Sequence, residues 1–219
     1  MTRADLRIAV LISGSGSNLQ ALLDAIAGGE IAGRIVRVIS NRAEAGGLER
    51  ARRAGVETEV LPHGDYPDRE TYDAALAARL NTVSPDLVVL AGFMRILSDG
   101  FVEAFQGRLV NIHPSLLPAY RGLHTHARAL QAGDREHGCS VHYVIPALDA
   151  GPVIAQASLP VHETDTPESL ETRVRTLEHR LYPLVVRWIA DGRVAMRAGR
   201  VCLDGEPLSR PPCITAGTP

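Results

Sequence analysis

Asn111 and His113 stand two residues apart in the run Leu-Val-Asn-Ile-His-Pro at 109–114. Along a strand, residues i and i+2 share a face. An amide donor and an imidazole would therefore sit side by side at the end of a buried strand. An amide can hold a developing oxyanion, and an imidazole can give or take a proton near neutral pH. The pair suits transfer of an acyl-type group better than hydride or phosphoryl chemistry. A plainer reading also stands: a packed His beside an Asn that forms a turn. Asp149, in Ala-Leu-Asp-Ala-Gly-Pro at 147–152, bears on the choice. It is either an ordinary turn acid or a carboxylate that holds His113 and helps it pass a proton.

A second candidate is the loop Ser13-Gly14-Ser15-Gly16-Ser17-Asn18. Small residues let the backbone approach an anion, and the start of a helix offers amide N–H groups. The loop reads as a phosphate site or as a tight strand-to-helix turn capped by Ser17 or Asn18. A dinucleotide fingerprint would need glycine where Leu19 stands, and Ser40-Asn41-Arg42 lacks the acidic ribose ligand, so NAD is disfavoured. His124 and His126 could join His113 as metal ligands. No acidic or Cys partner lies at zinc-motif spacing, so no metal is assigned. Arg95, in Gly-Phe-Met-Arg-Ile-Leu at 92–97, follows a buried strand at the sheet's carboxyl end, where such folds bind ligands. Otherwise it is a surface Arg over an apolar step.

The elements that must position these residues follow a β-α rhythm. Arg7 to Ile12 is a short apolar run of the kind found in buried parallel strands. Leu19, Leu22, Leu23 and Ile26 then share a helical face, which Gly28-Gly29 ends. Ile35 to Ile39, Val56 to Leu61, Asp86 to Ala91 and Leu109 to Ile112 read as further strands. Leu48 to Ala54 reads as the second helix, and Tyr72, Leu76, Leu80 and Val83 mark a third, capped by Asp68. The spacing predicts an α/β fold with a doubly wound, mainly parallel sheet. Beyond Gly138 the pattern predicts antiparallel additions, Cys139 to Ile145 against Val153 to Val161. Thr166-Pro167-Glu168 starts a long helix that Gly192 stops, and Val194 to Leu203 forms a small hairpin. One domain is expected over 1–203, with lobes meeting near residue 105 and a Pro-rich, disordered tail at 204–219.

The chain has 219 residues, is 45% hydrophobic and carries a net charge of −2, which excludes a global basic field for nucleic acid. All 23 positive residues are Arg, which excludes lysine Schiff-base chemistry and a P-loop lysine. Cys139, Cys202 and Cys213 share no CxxC spacing, and no run approaches membrane-spanning length. A cytoplasmic protein with no membrane or nucleic-acid partner is expected.

The segments ISGSGSNLQALLDAI, SNRAEAGGLERARRAG, VVLAGFMRIL, LVNIHPSLLPAYRGLHTHARAL, HGCSVHYV and LDAGPVIAQ occur in this order. Together they resemble the phosphoribosylglycinamide formyltransferases, a branch of the folate-dependent formyltransferase family. The resemblance implies a Rossmann-like formyltransferase fold and formyl transfer from 10-formyltetrahydrofolate, as cosubstrate, to the amine of glycinamide ribonucleotide, a step of purine synthesis. It implies a catalytic trio of Asn111, His113 and Asp149. Asn111 and protonated His113 would hold the oxyanion, and Asp149 would hold His113 and carry the proton through water. Gly16, Ser17, Asn18 and Glu178 would contact the ribonucleotide. Arg69, Asn111 and the segment Met94, Arg95, Ile96 and Leu97 would contact the folate. A homodimer is compatible with the family, and no metal is implied.

Three departures stand out. Ile145-Pro146-Ala147 replaces residues that are often acidic or polar in relatives, Ala150 replaces a common Gly, and Arg175 a common Gln. Three other functions compete. A methionyl-tRNA formyltransferase would need an RNA-binding domain after Leu203, and a formyltetrahydrofolate deformylase a regulatory domain before the first strand. A nucleotide-binding module would use the glycine loop alone and leave Asn111, His113 and Asp149 unexplained.

Overall fold

The computed structural model describes residues 5–215, which divide into two compact units at Asn111/Ile112. In the first unit β1 (Leu6–Ile12) and β4 (Leu87–Leu90) are almost wholly buried apolar runs, as central parallel strands require. With β2 (Gly33–Ser40), β3 (Thr58–Val60) and β5 (Leu109–His113) they form a parallel array in the order β3-β2-β1-β4-β5. The helices are α1 (Ser17–Ala27), α2 (Gly46–Arg53), α3 (Arg69–Val83) and α4 (Asp99–Ala104). The Asp68 side chain caps α3 by accepting from Thr71 N, worth about 1 kcal/mol for such a cap. The connections run outward from β1 in one direction and from β4 in the other. The strand order therefore reverses between these two, and the loops after them flank the crevice where doubly wound sheets take ligands.

The second unit contains α5 (Thr125–Ala132), β6 (Glu136–Tyr143), β7 (Val153–Pro160) and α6 (Pro167–Ala190). β6 and β7 pair antiparallel, and α6 packs on both. Thr166 and Ser169 form a reciprocal capping box at the start of α6, with Pro167 at the first helical position. The strands β8 (Val194–Arg197), β9 (Arg200–Leu203) and β10 (Glu206–Pro207) make a small antiparallel sheet. A last strand, β11 (Cys213–Thr215), lies parallel to β7.

The expected disordered tail is therefore corrected for residues 204–215, because β9 and β7 supply backbone partners that a Pro-rich stretch cannot find in itself. The remainder of that expectation, residues 216–219, lies outside the described residues. The units divide inside β5, later than residue 105. The short helices α4 and α5 are additions to the sequence reading. Among the described residues no helix is long and apolar enough to cross a membrane.

Candidate active site

His113 ends β5 and is 5% exposed. Its Nε2 lies 2.9 Å from the Tyr120 carbonyl, which can only accept, so Nε2 is the donor in that contact. Its Nδ1 lies 3.4 Å from Asp149 Oδ2. The same oxygen accepts the Gly122 N–H at 3.0 Å. Asp149 adopts a left-handed backbone (φ 45°), and a Cβ on Gly151 would stand 1.8 Å from the Tyr143 carbonyl. The turn thus approaches β6 so closely that only glycine fits at 151, and this proximity brings Asp149 to His113. Asn111 lies two residues before His113 on the same strand, half-buried.

A second histidine, His142 of β6, meets the other carboxylate oxygen. Its Nε2 is 3.7 Å from Asp149 Oδ1, while its Nδ1 donates to the Tyr143 carbonyl at 2.9 Å. Burial pulls its pKa down, against the opposing pull of the Tyr143 carbonyl and Asp149. Burial thus favours the uncharged form of the His142 ring beside Asp149. The sequence reading missed it because β6 is buried on both faces and offers no alternation to single out one side chain.

The loop after His113 is tied down through Ser140 and Gln156. Ser140 Oγ donates to the Ser115 carbonyl and accepts from Leu117 N, and Gln156 Nε2 donates to the Leu117 carbonyl. The Tyr120 hydroxyl donates to Asp134, which sets the carbonyl that His113 uses. His126 pairs with His137 at 3.1 Å rather than with His113, and burial pushes His137 down to about 4. His124 is the N-cap residue of α5. Glu178 lies half-buried on α6, where it adds to the burial that raises the Cys139 thiol. Arg175 forms an exposed ion pair with Glu171 of the same helix.

In the first unit the cap of α1 is Gly16 (φ 71°) without a side-chain bond, which corrects the alternative of capping by Ser17 or Asn18. The first helical bond runs from Gln20 N to the Gly16 carbonyl, so the amides of Ser17 to Leu19 precede it. The loop is pressed onto the start of α2. Gly47 N donates to the Gly14 carbonyl, and Arg50 Nε donates to the Ser15 carbonyl. A Cβ on Gly16 would lie 2.4 Å from the Gly47 Cα. Ser13 then joins this loop to the one after β4. Its N–H donates to the Gly92 carbonyl, and its Oγ donates to Asn41 Oδ1 and accepts from Met94 N.

Arg95 is half-buried, with its guanidinium 4.5 Å over the Tyr72 ring. Leu97 is buried, whereas Met94 and Ile96 are 63% and 58% exposed. Arg69 opens α3 at the surface, paired with Glu70. Among the described residues, the first unit thus holds the 13–18 loop tightly against α2, and the second holds a carboxylate–imidazole pair at 113/149.

The sequence profile described as Formyl transferase matches residues 6–186. The chain belongs to the formyl transferase family. Within that family it is 54% identical over 203 residues to the phosphoribosylglycinamide formyltransferase of Escherichia coli K12, covering 93% of this chain and 96% of that one. It is 43% identical to the Haemophilus influenzae enzyme of the same name, over 93% and 96% of the two chains. Among solved structures, the phosphoribosylglycinamide formyltransferase of Coxiella burnetii superposes with a TM-score of 0.92 at 51% identity, covering 96% of this chain and 99% of the other. A formyltetrahydrofolate deformylase from Burkholderia mallei superposes with a TM-score of 0.82 at 26% identity, over 91% and 70% of the two chains.

Proposed function

We propose that this formyl transferase moves a formyl group from 10-formyltetrahydrofolate to the primary amine of glycinamide ribonucleotide. The observation that carries the reading is the His113–Asp149 pair, at 3.4 Å, in a chain 54% identical to a phosphoribosylglycinamide formyltransferase over 93% of its length. The substrate amine is the nucleophile, so no enzyme nucleophile is required. Its nitrogen attacks the formyl carbon, the bond from that carbon to N10 of the folate breaks, and the amine's proton ends on N10. Asn111 and protonated His113 are the donors for the transient oxyanion. Asp149 orients the imidazole and passes the proton.

Backbone amides at Gly16, Ser17 and Asn18 are the phosphate cradle, and Glu178 is the further nucleotide contact. Arg69 and the segment Met94 to Leu97 hold the folate, with Met94 and Ile96 supplying exposed apolar surface. The test is a spectrophotometric assay of folate deformylation with glycinamide ribonucleotide, with methionyl-tRNA, and with no acceptor. Turnover with the ribonucleotide alone, giving formylated ribonucleotide, supports the reading. Equal turnover without acceptor would replace it with a deformylase, and turnover on the tRNA with the other RNA-linked function.

A further inference from the structure

The turn after β4 has inverted polarity. Met94 and Ile96 face outward, while the Arg95 cation is folded under, against Tyr72. Two neighbouring residues of α3 impose this. Tyr72, 0% exposed, offers its ring face to the guanidinium. Asp73, 1% exposed, accepts the Ser98 N–H, and Ser98 Oγ in turn caps α4 by accepting from Phe101 N. Both ends of the apolar display are thereby fixed from below, at Arg95 and at Ser98.

The fixation is costly. Asp73 Oδ1, the Tyr72 hydroxyl and Arg95 Nε are buried without a hydrogen-bond partner among the described residues. Each such atom gives up its hydrogen bonds to water without replacement. Three of them around one short turn is a concentration that packing alone does not call for, because a Phe and an Asn would fill the same space more cheaply. The charges also act on one another: Arg95 and Asp73 pull the Tyr72 phenol in opposite directions, although burial dominates and pushes it up to about 12.

We propose that Tyr72 and Asp73 are positioning residues for the reduced folate. They touch no reacting atom. They hold the turn so that its backbone and the Met94 and Ile96 side chains face a flat, partly apolar heterocycle. This rests on the folate reading of residues 94–97 given above and names the residues that shape that segment.

The test is steady-state kinetics with each substrate varied in turn. D73N keeps the shape of the side chain but loses the charge; it should raise the folate KM about tenfold and leave the ribonucleotide KM within about twofold. Y72L should produce the same split, and Y72F should recover most of the loss because the ring face returns. If D73N fails to fold, by circular dichroism, the Y72L/Y72F pair decides. An unchanged folate KM, or both KM values rising together, would overturn the proposal. A native protein that turns over no 10-formyltetrahydrofolate would instead defeat the functional reading beneath it.

Discussion

The glycine loop and the Asp149 turn solve different problems with different materials. Residues 13–18 contain no side chain that titrates near neutral pH, and their geometry is fixed by backbone contact with α2 and by Ser13. The Asp149 turn brings together a carboxylate, two imidazoles and a backbone N–H. A phosphate needs only directed amides, and these work at any pH where the protein is folded. A proton transfer needs groups that change state, so it must be built from side chains whose surroundings set that state.

The two regions therefore fail in different ways. The largest effect belongs to His113. H113A should lower kcat about 10²- to 10⁴-fold, while titration with glycinamide ribonucleotide should find its affinity nearly intact. Next comes G16A. Its Cβ would enter a 2.4 Å contact with Gly47 Cα at a left-handed backbone position. Strain and overpacking together should cost about 2–4 kcal/mol of stability, read from thermal melts, with a raised ribonucleotide KM in whatever folds.

A smaller and pH-dependent effect comes from the buried histidines of the second unit. His137 is pushed down to about 4 by burial first and His126 next, and His126 and His142 are pulled down by burial as well. The folded chain disfavours these protons, whereas the unfolded chain takes them near pH 6.5. Stability from this source is complete above about pH 6.5 and is lost as the pH falls from there towards about 4. Melting temperature measured across that window should fall with pH, more steeply than in an H137Q variant. The smallest effect is at Arg175, whose exposed pair with Glu171 is worth no more than about 0.5 kcal/mol. R175Q should melt within a degree or two of the native chain, about the limit set by a contribution of that size.

Much of the architecture could be read from the sequence because the signals were local. Short continuous apolar runs gave the parallel strands, and Asp68 and Thr166 marked helix starts through side-chain oxygens that do accept from the backbone. The helix α5 was missed because only Thr125 and Ala129 are buried on it, too few for an apolar stripe. The strand β11 was missed because its pairing with β7 is tertiary and its own sequence is short and half-exposed. At the site, Asn111, His113 and Asp149 could be named from spacing and resemblance. His142, Tyr72 and Asp73 could not, since their meaning lies in what they face across the fold: a carboxylate oxygen, a guanidinium and a backbone amide.

The central claim is that His113 and Asp149 act as one proton path, separate from the phosphate cradle. A double-substitution cycle tests it most directly: kcat with glycinamide ribonucleotide for H113A, D149N and the pair. Groups that act as a unit lose little more together than the worse of them loses alone. The account predicts that the double variant will match the more damaged single variant within about threefold. Losses that multiply would mean that the two residues serve the reaction independently, and the proton path drawn through their 3.4 Å contact would be wrong.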